Sequence, residues 1–263
     1  MEEGMNGDGE MMNDPGKIDA KIYTPMNKEE FDFLRQQTLM LRKTHKEEDV
    51  FIIKKAEQTE VADVLFVHSC VDLLKHFMYY IRTKNTEALS VTYFVQIEDV
   101  LASLVFFLTE TESSDPFTCE GLPFKKRQKI MRETRVIDLL VDMLQYPFQD
   151  KLYSFGDLTQ KHPITRICQL VYRLLKHCVK DYNYNKFYVA QFIELYFNQA
   201  MTATEQNNFR AESTITELLK NNEVLLDKQI TKETIVNFVE LCKGQMKNER
   251  FLKLLATLCS CNG

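Results

Sequence analysis

Residues that break helices are scarce in this chain, and this scarcity constrains its fold more than any other feature. The 263 residues include 8 glycines and 6 prolines, and four of the glycines lie within the first sixteen residues. No proline follows Pro163, so the last hundred residues contain no obligate helix breaker. Long apolar stretches with so few turn residues favour helices over many short strands joined by turns. We therefore expect an all-α protein.

The pattern of apolar residues divides the chain into three segments. Residues 1–25 are rich in Met, Gly, Asp and Glu and have no periodicity, which predicts a disordered N-terminal leader. Residues 26–120 form an N-terminal helical segment. In residues 121–263, helices of about 8 to 12 residues are joined by short turns and recur roughly every 35 to 45 residues, without a strict sequence repeat. This rhythm is typical of an armadillo- or HEAT-like helical solenoid, in which each unit buries its apolar face against its neighbours.

Local signals predict where several helices lie. The apolar spacing indicates helices over 60–81 and 90–108, and the second is apolar enough to be buried. Pro163 is expected to open a strongly amphipathic helix, because proline suits the first helical position. Thr214 and Glu217 have the spacing of a capping box, which predicts a helix capped by Thr214.

Several classes of function lack support in the sequence. The longest near-continuous apolar run, Val100–Leu108, falls short of the about 20 residues that a membrane span needs, so we expect no membrane span. No Ser/His/Asp order, glycine-rich phosphate loop or H-E-x-x-H motif is present, so we expect neither an enzyme nor a cofactor.

The cysteines favour a reduced, cytoplasmic setting. There are seven of them, an odd number, without a signal peptide, and most lie within apolar helical patterns. We therefore expect them to serve as small core residues. Cys259 and Cys261 form a C-x-C pair, and no cysteine or histidine pair stands at zinc-finger spacing, so no metal site is expected.

One stretch contrasts with the acidic character of the chain. In "PFKKRQKIMRETR", residues 123–135, six basic residues fall within eleven positions, although the formal net charge of the chain is −5. On a helix, Lys125, Lys129 and Arg132 share one face, and their mutual repulsion costs a few tenths of a kcal/mol per pair. Pro123 is expected as the first helical residue, which places the positive end of the helix dipole near Lys125. A compact, multiply charged anion such as a phosphate group matches this face.

Two other interpretations of the basic stretch remain open. A basic helix face is commonly just solvated, with no ligand. A nuclear-localisation or RNA-binding role for "KKRQK" is less favoured, because no aromatic platform is nearby and the overall charge is wrong for nucleic acid. A second notable stretch, "DYNYNKFY" at 181–188, is either a turn whose tyrosines bury their rings or a place where a phenol helps to bind an anion.

Several blocks of the sequence together resemble a known family. They are "DVFIIKKAEQTEVADVLF", "RQKIMRE", "LLVDMLQYPF", "ITRICQLVYRLLKHCVKDYNYN", "STITELLKNNEVLLDKQIT" and "FVELCKGQMKNERFLKLLATLC". In this order they resemble the helical armadillo (RIH) segment of inositol 1,4,5-trisphosphate receptors, which ryanodine receptors share more distantly. The resemblance covers residues 49–263.

This resemblance implies one wall of a ligand cleft, with a β-trefoil domain as the other wall. The family's three basic positions fall on Lys125, Lys129 and Arg132, and its tyrosine falls on Tyr182, so these four residues would hold the phosphate groups of the inositol ring. The family usually follows that tyrosine with two basic residues, whereas this chain has Asn183 and Tyr184, which implies that one phosphate contact is lost or replaced.

The function implied is that of a ligand-sensing and coupling segment of a calcium-release channel. The chain would work at the cytosolic face of the endoplasmic reticulum beside the β-trefoil and channel domains of a larger receptor, and alone it would offer half a binding site. The alternative is a non-catalytic armadillo scaffold that binds protein partners and no inositol phosphate.

Overall fold

The computed structural model describes residues 55–202, 204, 207–233, 235–236, 239–240 and 249–259. The expected leader and the start of the N-terminal helical segment, residues 1–54, lie outside the described residues. The chain divides into two units, residues 1–62 and 63–263, and the second contains the packed helices and the candidate site.

Helices dominate the described residues, which form an all-α solenoid as the sequence predicts. The α-helices are α1 (Gln58–Arg82), α2 (Val91–Leu108), α3 (Lys125–Glu133), α4 (Val136–Gln145), α5 (Pro163–Val179), α6 (Asn183–Val189), α7 (Ile193–Thr202), α8 (Ala211–Leu219), α9 (Glu223–Gln229) and α10 (Glu249–Cys259). Short 3₁₀ helices cover Thr86–Ala88, Tyr146–Lys151, Phe155–Asp157 and Ala190–Phe192. Two strands of two residues each, β1 (Thr109–Glu110) and β2 (Leu122–Pro123), pair antiparallel.

Helix α5 lies at the centre of the packing. Pro163 is its first residue, as expected, and the Nδ1 atom of His162 accepts a hydrogen bond from the Ile164 amide at 3.2 Å. Thirteen of its 17 residues are buried, because it contacts α2, α4 and α8 on different sides. Four cysteines of the described residues are free and buried, in agreement with their expected role in the core: Cys70, Cys119, Cys168 and Cys178.

Helix α2 is the apolar helix that the sequence predicts over 90–108. Among the described residues it is long and apolar enough to cross a membrane, by length and composition only. The apolar run Val100–Leu108 is the C-terminal half of this helix. In the structure, six of its residues are buried, and Glu98 pairs with Arg166 of α5 at 2.8 Å. Such a length and composition also occur in core helices, so they are weak evidence of a membrane span.

The predicted capping box at Thr214 is wrong. Helix α8 begins at Ala211, after Arg210 in the left-handed region with φ 66°. Thr214 and Glu217 are buried inside the helix, and the Thr214 hydroxyl donates a hydrogen bond to the Tyr172 carbonyl at 2.7 Å. The hydroxyl therefore fastens α8 to α5 instead of capping its own helix.

Candidate functional site

The basic stretch forms helix α3, as expected, but its start differs from the prediction. Pro123 belongs to strand β2, and Phe124 is the N-cap residue. Proline fits the edge of a short strand as well as the first turn of a helix, since in neither place is its missing amide needed. Lys125 is thus the first helical residue, and the positive end of the helix dipole still lies beside it.

The three cations of the basic face differ in what they contact. Lys125 and Lys129 are exposed, and Arg132 is partly buried. The Nζ atom of Lys129 and the Nη2 atom of Arg132 both lie 3.6 Å from Oε1 of Glu133. Lys125 forms no ion pair with any residue that the structure describes. The half-exposed carboxylate of Glu133 therefore pairs with two cations, and each pair contributes about 0–1 kcal/mol at such exposure. The basic face keeps a surplus of positive charge.

Two of the predicted site residues, Arg132 and Tyr182, lie close together in the structure. The guanidinium carbon of Arg132 lies 5.9 Å from the ring centroid of Tyr182 and 5.7 Å from that of Tyr184. The two rings are 5.8 Å apart, and Nη1 of Arg132 donates to Oδ1 of Asn185 at 3.3 Å. The guanidinium is thus oriented by two aromatic faces and an amide, each an attractive contact for a cation.

Two buried amide side chains hold this arrangement together, and sequence reasoning missed both. Nε2 of Gln128 donates to the carbonyls of His177 at 2.7 Å and Lys180 at 2.8 Å. Nδ2 of Asn185 donates to the carbonyls of Gln128 at 2.8 Å and Cys178 at 2.9 Å. They join α3, the C-terminal end of α5 and the start of α6. The sequence contains a signal for Gln128, because this residue stands three positions before Met131 and therefore lies on the inward face of the basic helix.

A pocket of about 440 Å³ opens beside Tyr182. Its volume lies within the roughly 300–1,000 Å³ that is usual for small-molecule sites. It brings together two of the four predicted site residues, while Lys129 and Arg132 are not part of its lining. The lining residues are Lys125, Asp181, Tyr182, Asn183, Tyr184, Lys186, Glu217, Lys220 and Asn221.

Lys186, which lines this pocket, already has a hydrogen-bond partner within the protein. It is 3% exposed, and its Nζ donates to the Lys220 carbonyl at 2.6 Å. Burial lowers the pKa of Lys186, while the charges of Glu217 and Asp181 act in the opposite direction. Two carboxylates thus compensate the one buried ammonium.

A second cluster of cations lies at the C-terminal end of α5 and on its C-cap residue, Lys180. Arg173, Lys176 and Lys180 approach the carboxylate of Glu120 at 3.1, 2.5 and 3.7 Å. Burial alone would raise the pKa of Glu120, but the Lys176 hydrogen bond and the three positive charges bring it below its usual value. Arg173 and Lys180 also donate to the carbonyls of Cys119 and Gly121, so this cluster fastens the loop before β2 to α5.

The described residues contain no group of three or more His, Cys, Asp and Glu that could hold a metal ion. The lysine, arginine and tyrosine side chains of the basic face and the adjacent pocket can bind an anion.

Comparison with known proteins gives the family and two relatives. The family model RYDR_ITPR, described as "RIH domain", matches residues 98–263. The chain is 27% identical over 242 residues to "Inositol 1,4,5-trisphosphate receptor itr-1" of Caenorhabditis elegans, which covers 86% of this chain and 8% of that protein. It is 26% identical over 172 residues to "Inositol 1,4,5-trisphosphate receptor-like protein A" of Dictyostelium discoideum, with 64% of this chain and 5% of that protein covered. The chain thus spans less than a tenth of the length of these relatives.

Proposed function

Because the chain belongs to the RIH-domain family that inositol trisphosphate and ryanodine receptors share, we propose that it senses an inositol phosphate and couples its binding to an intracellular calcium-release channel. It catalyses no reaction in this role. It works at the cytosolic face of the endoplasmic reticulum, as one wall of a cleft whose other wall is a β-trefoil domain.

The observation that carries the proposal is the meeting of α3 with the start of α6. Arg132 lies against the Tyr182 ring, and Lys125 and Tyr182 line the same pocket. Residues fifty or more positions apart in sequence therefore form one cationic and aromatic surface. Arginine binds phosphate as a fork and lysine as a point charge, and a tyrosine hydroxyl can donate to a phosphate oxygen.

Binding in this role exchanges one anion for another. Glu133 neutralises part of the charge of Lys129 and Arg132 at 3.6 Å. A phosphate group carries more charge and more acceptor oxygens than a carboxylate, so it displaces Glu133 at small cost. Each contact of an exposed half-site is weak in water, so tight binding requires the β-trefoil wall to exclude solvent.

The alternative is a scaffold that binds a protein partner and no inositol phosphate. The observation that favours it is the exposure of two aromatic side chains on α6, where Tyr184 is 73% and Phe187 44% exposed. Aromatic residues are enriched in protein interfaces.

Calorimetry separates the two functions. Inositol 1,4,5-trisphosphate is titrated into this chain joined to a receptor β-trefoil domain, and into a Lys129→Ala/Arg132→Ala variant. A matched control, Lys75→Ala/Lys232→Ala, removes the same charge at exposed positions outside the site. The sensor requires binding that the first variant weakens by at least tenfold and the control leaves nearly unchanged. Absence of binding by the unmodified protein would leave the scaffold as the better proposal.

A further inference from the structure

The pocket beside Tyr182 has a second cation that the resemblance does not provide. Lys220 follows α8 in sequence, 95 residues after Lys125, and both line the same pocket of about 440 Å³. Both side chains are exposed, and neither forms an ion pair with a residue in the part of the chain that the structure describes.

The backbone of Lys220 is held in place while its side chain is not. Its amide donates to the Thr216 carbonyl at 2.9 Å, and its own carbonyl accepts the buried ammonium of Lys186 at 2.6 Å. Asn221, the next residue, adopts the left-handed region with φ 55° and turns the chain. The side chain of Lys220 therefore starts from a fixed point on the pocket wall, which lowers the entropy lost when it contacts a ligand.

The charges that line the pocket leave it positive. Asp181 and Glu217 oppose the lowering of the Lys186 pKa by burial, while the charge of Lys220 adds to that lowering. The lining contains three lysines and two carboxylates, so it keeps a surplus of one positive charge. Lys125 also sits in the first turn of α3, where the dipole disfavours a cation and favours an anion next to it.

We propose that Lys220 and Lys125 bind phosphate groups of one ligand from two walls of this pocket, which Tyr182 and Tyr184 also line. The ligand is a small molecule that carries at least two phosphate groups. This inference rests on the proposed function, because it assigns a further contact to the same inositol phosphate. Lys220 adds a positive charge to the pocket that Tyr182 lines, where Asn183 and Tyr184 supply none.

The test follows the NMR signal of each lysine separately. The lysines of the chain joined to a receptor β-trefoil domain, as in the calorimetry, are ¹³C-methylated for NMR spectroscopy, the signals of Lys125, Lys129, Lys220 and Lys232 are assigned with Lys→Arg variants, and inositol 1,4,5-trisphosphate is titrated. We expect the Lys125 and Lys220 signals to shift with one common dissociation constant while the signal of exposed Lys232 stays in place. Lys220→Gln should raise the dissociation constant read at Lys125 by roughly three- to tenfold, between the effect of an exposed ion pair and that of a charge-assisted hydrogen bond. Lys220→Arg keeps the charge and should keep most of the affinity.

The outcomes separate this inference from the proposed function. Shifts at Lys125 and Lys129 without one at Lys220, or an unchanged constant in Lys220→Gln, overturn the role of Lys220 and leave the sensor intact. Shifts at Lys125 and Lys220 without one at Lys129 support the two-lysine contact and remove Lys129 from the site. Absence of any shift up to millimolar ligand overturns both.

Discussion

Replacing Gln128 by methionine tests the amide network that assembles the candidate site, without any ligand. Gln128 is fully buried, and methionine has a similar volume, so the change removes hydrogen bonds with little change in packing. The carbonyls of His177 and Lys180 each lose a donor, at about 1 kcal/mol for a net hydrogen bond and up to about 3 when the acceptor stays buried and unpaired. The substitution also deletes Oε1 of Gln128, which has no partner among the described residues, and this returns about 1 kcal/mol. We expect a net loss of about 1–5 kcal/mol.

Urea denaturation followed by circular dichroism measures this loss directly. The matched control is Gln145→Met, because Gln145 is exposed at the end of α4 and its replacement should change the free energy of unfolding by less than about 0.5 kcal/mol. In thermal unfolding, the Gln128 variant should melt about 2–20 °C below the unmodified chain, from the usual 2–4 °C per kcal/mol for a domain of this size. Equal stability of the two variants would show that the network does not hold α3 to α5, and the amide contacts would then not be what assembles the site.

Three further predictions concern stability. Gly121→Ala should lower the free energy of unfolding, measured by urea denaturation, by about 1–3 kcal/mol, because a Cβ there would clash with the Glu110 carbonyl oxygen. Gly156→Ala is the control, because a Cβ at that position would have no atom nearer than 4.0 Å. Burial lowers the pKa of His177 to about 4. Below about pH 6.5, the usual pKa of histidine, the imidazole therefore binds a proton in the unfolded chain but stays neutral in the native state. Between pH 7 and pH 4.5 the unmodified chain should therefore lose about 2–3 kcal/mol more than His177→Gln, and parallel losses would contradict the assignment. The carboxylate of Glu120, with its lowered pKa, stabilises the fold at neutral pH, and this contribution is lost as pH falls through that pKa. Glu120→Gln should therefore lower the melting temperature less at pH 3 than at pH 7, and less in 1 M NaCl.

The sequence predicts the helices well because their signals are local. The expected helix at 60–81 is observed as Gln58–Arg82, and the expected helix at 90–108 as Val91–Leu108. Its N-cap is Ser90, whose hydroxyl accepts a hydrogen bond from the Tyr93 amide. Apolar periodicity and capping residues act within one or two turns, and the packing of these helices agrees with them.

The wrong predictions concern residues whose local structure is determined by contacts with residues distant in sequence. Pro123 satisfies the first turn of a helix, but pairing of β2 with β1 places it in a strand. Thr214 has the spacing of a cap, yet its hydroxyl bonds to Tyr172, 42 positions away. In the candidate site, the spacing of Lys125, Lys129 and Arg132 follows from the helix alone. The positions of Gln128 and Lys220 depend on tertiary contacts with α5 and α6, which no local pattern encodes.

The same contacts indicate how an event at the basic face would reach the rest of the solenoid. The side chain of Gln128 bonds to the last turn of α5, and Asn185 bonds to the backbone of both α3 and α5. A displacement of α3 toward a bound anion would therefore stretch buried hydrogen bonds unless α5 moved with it. Since α5 is buried along thirteen of its 17 residues and packs on α2, α4 and α8, it cannot bend independently of them without opening a tightly packed core. The response that leaves this packing intact is a rigid-body shift of the helices together, and the proposed coupling to a channel would use such a shift.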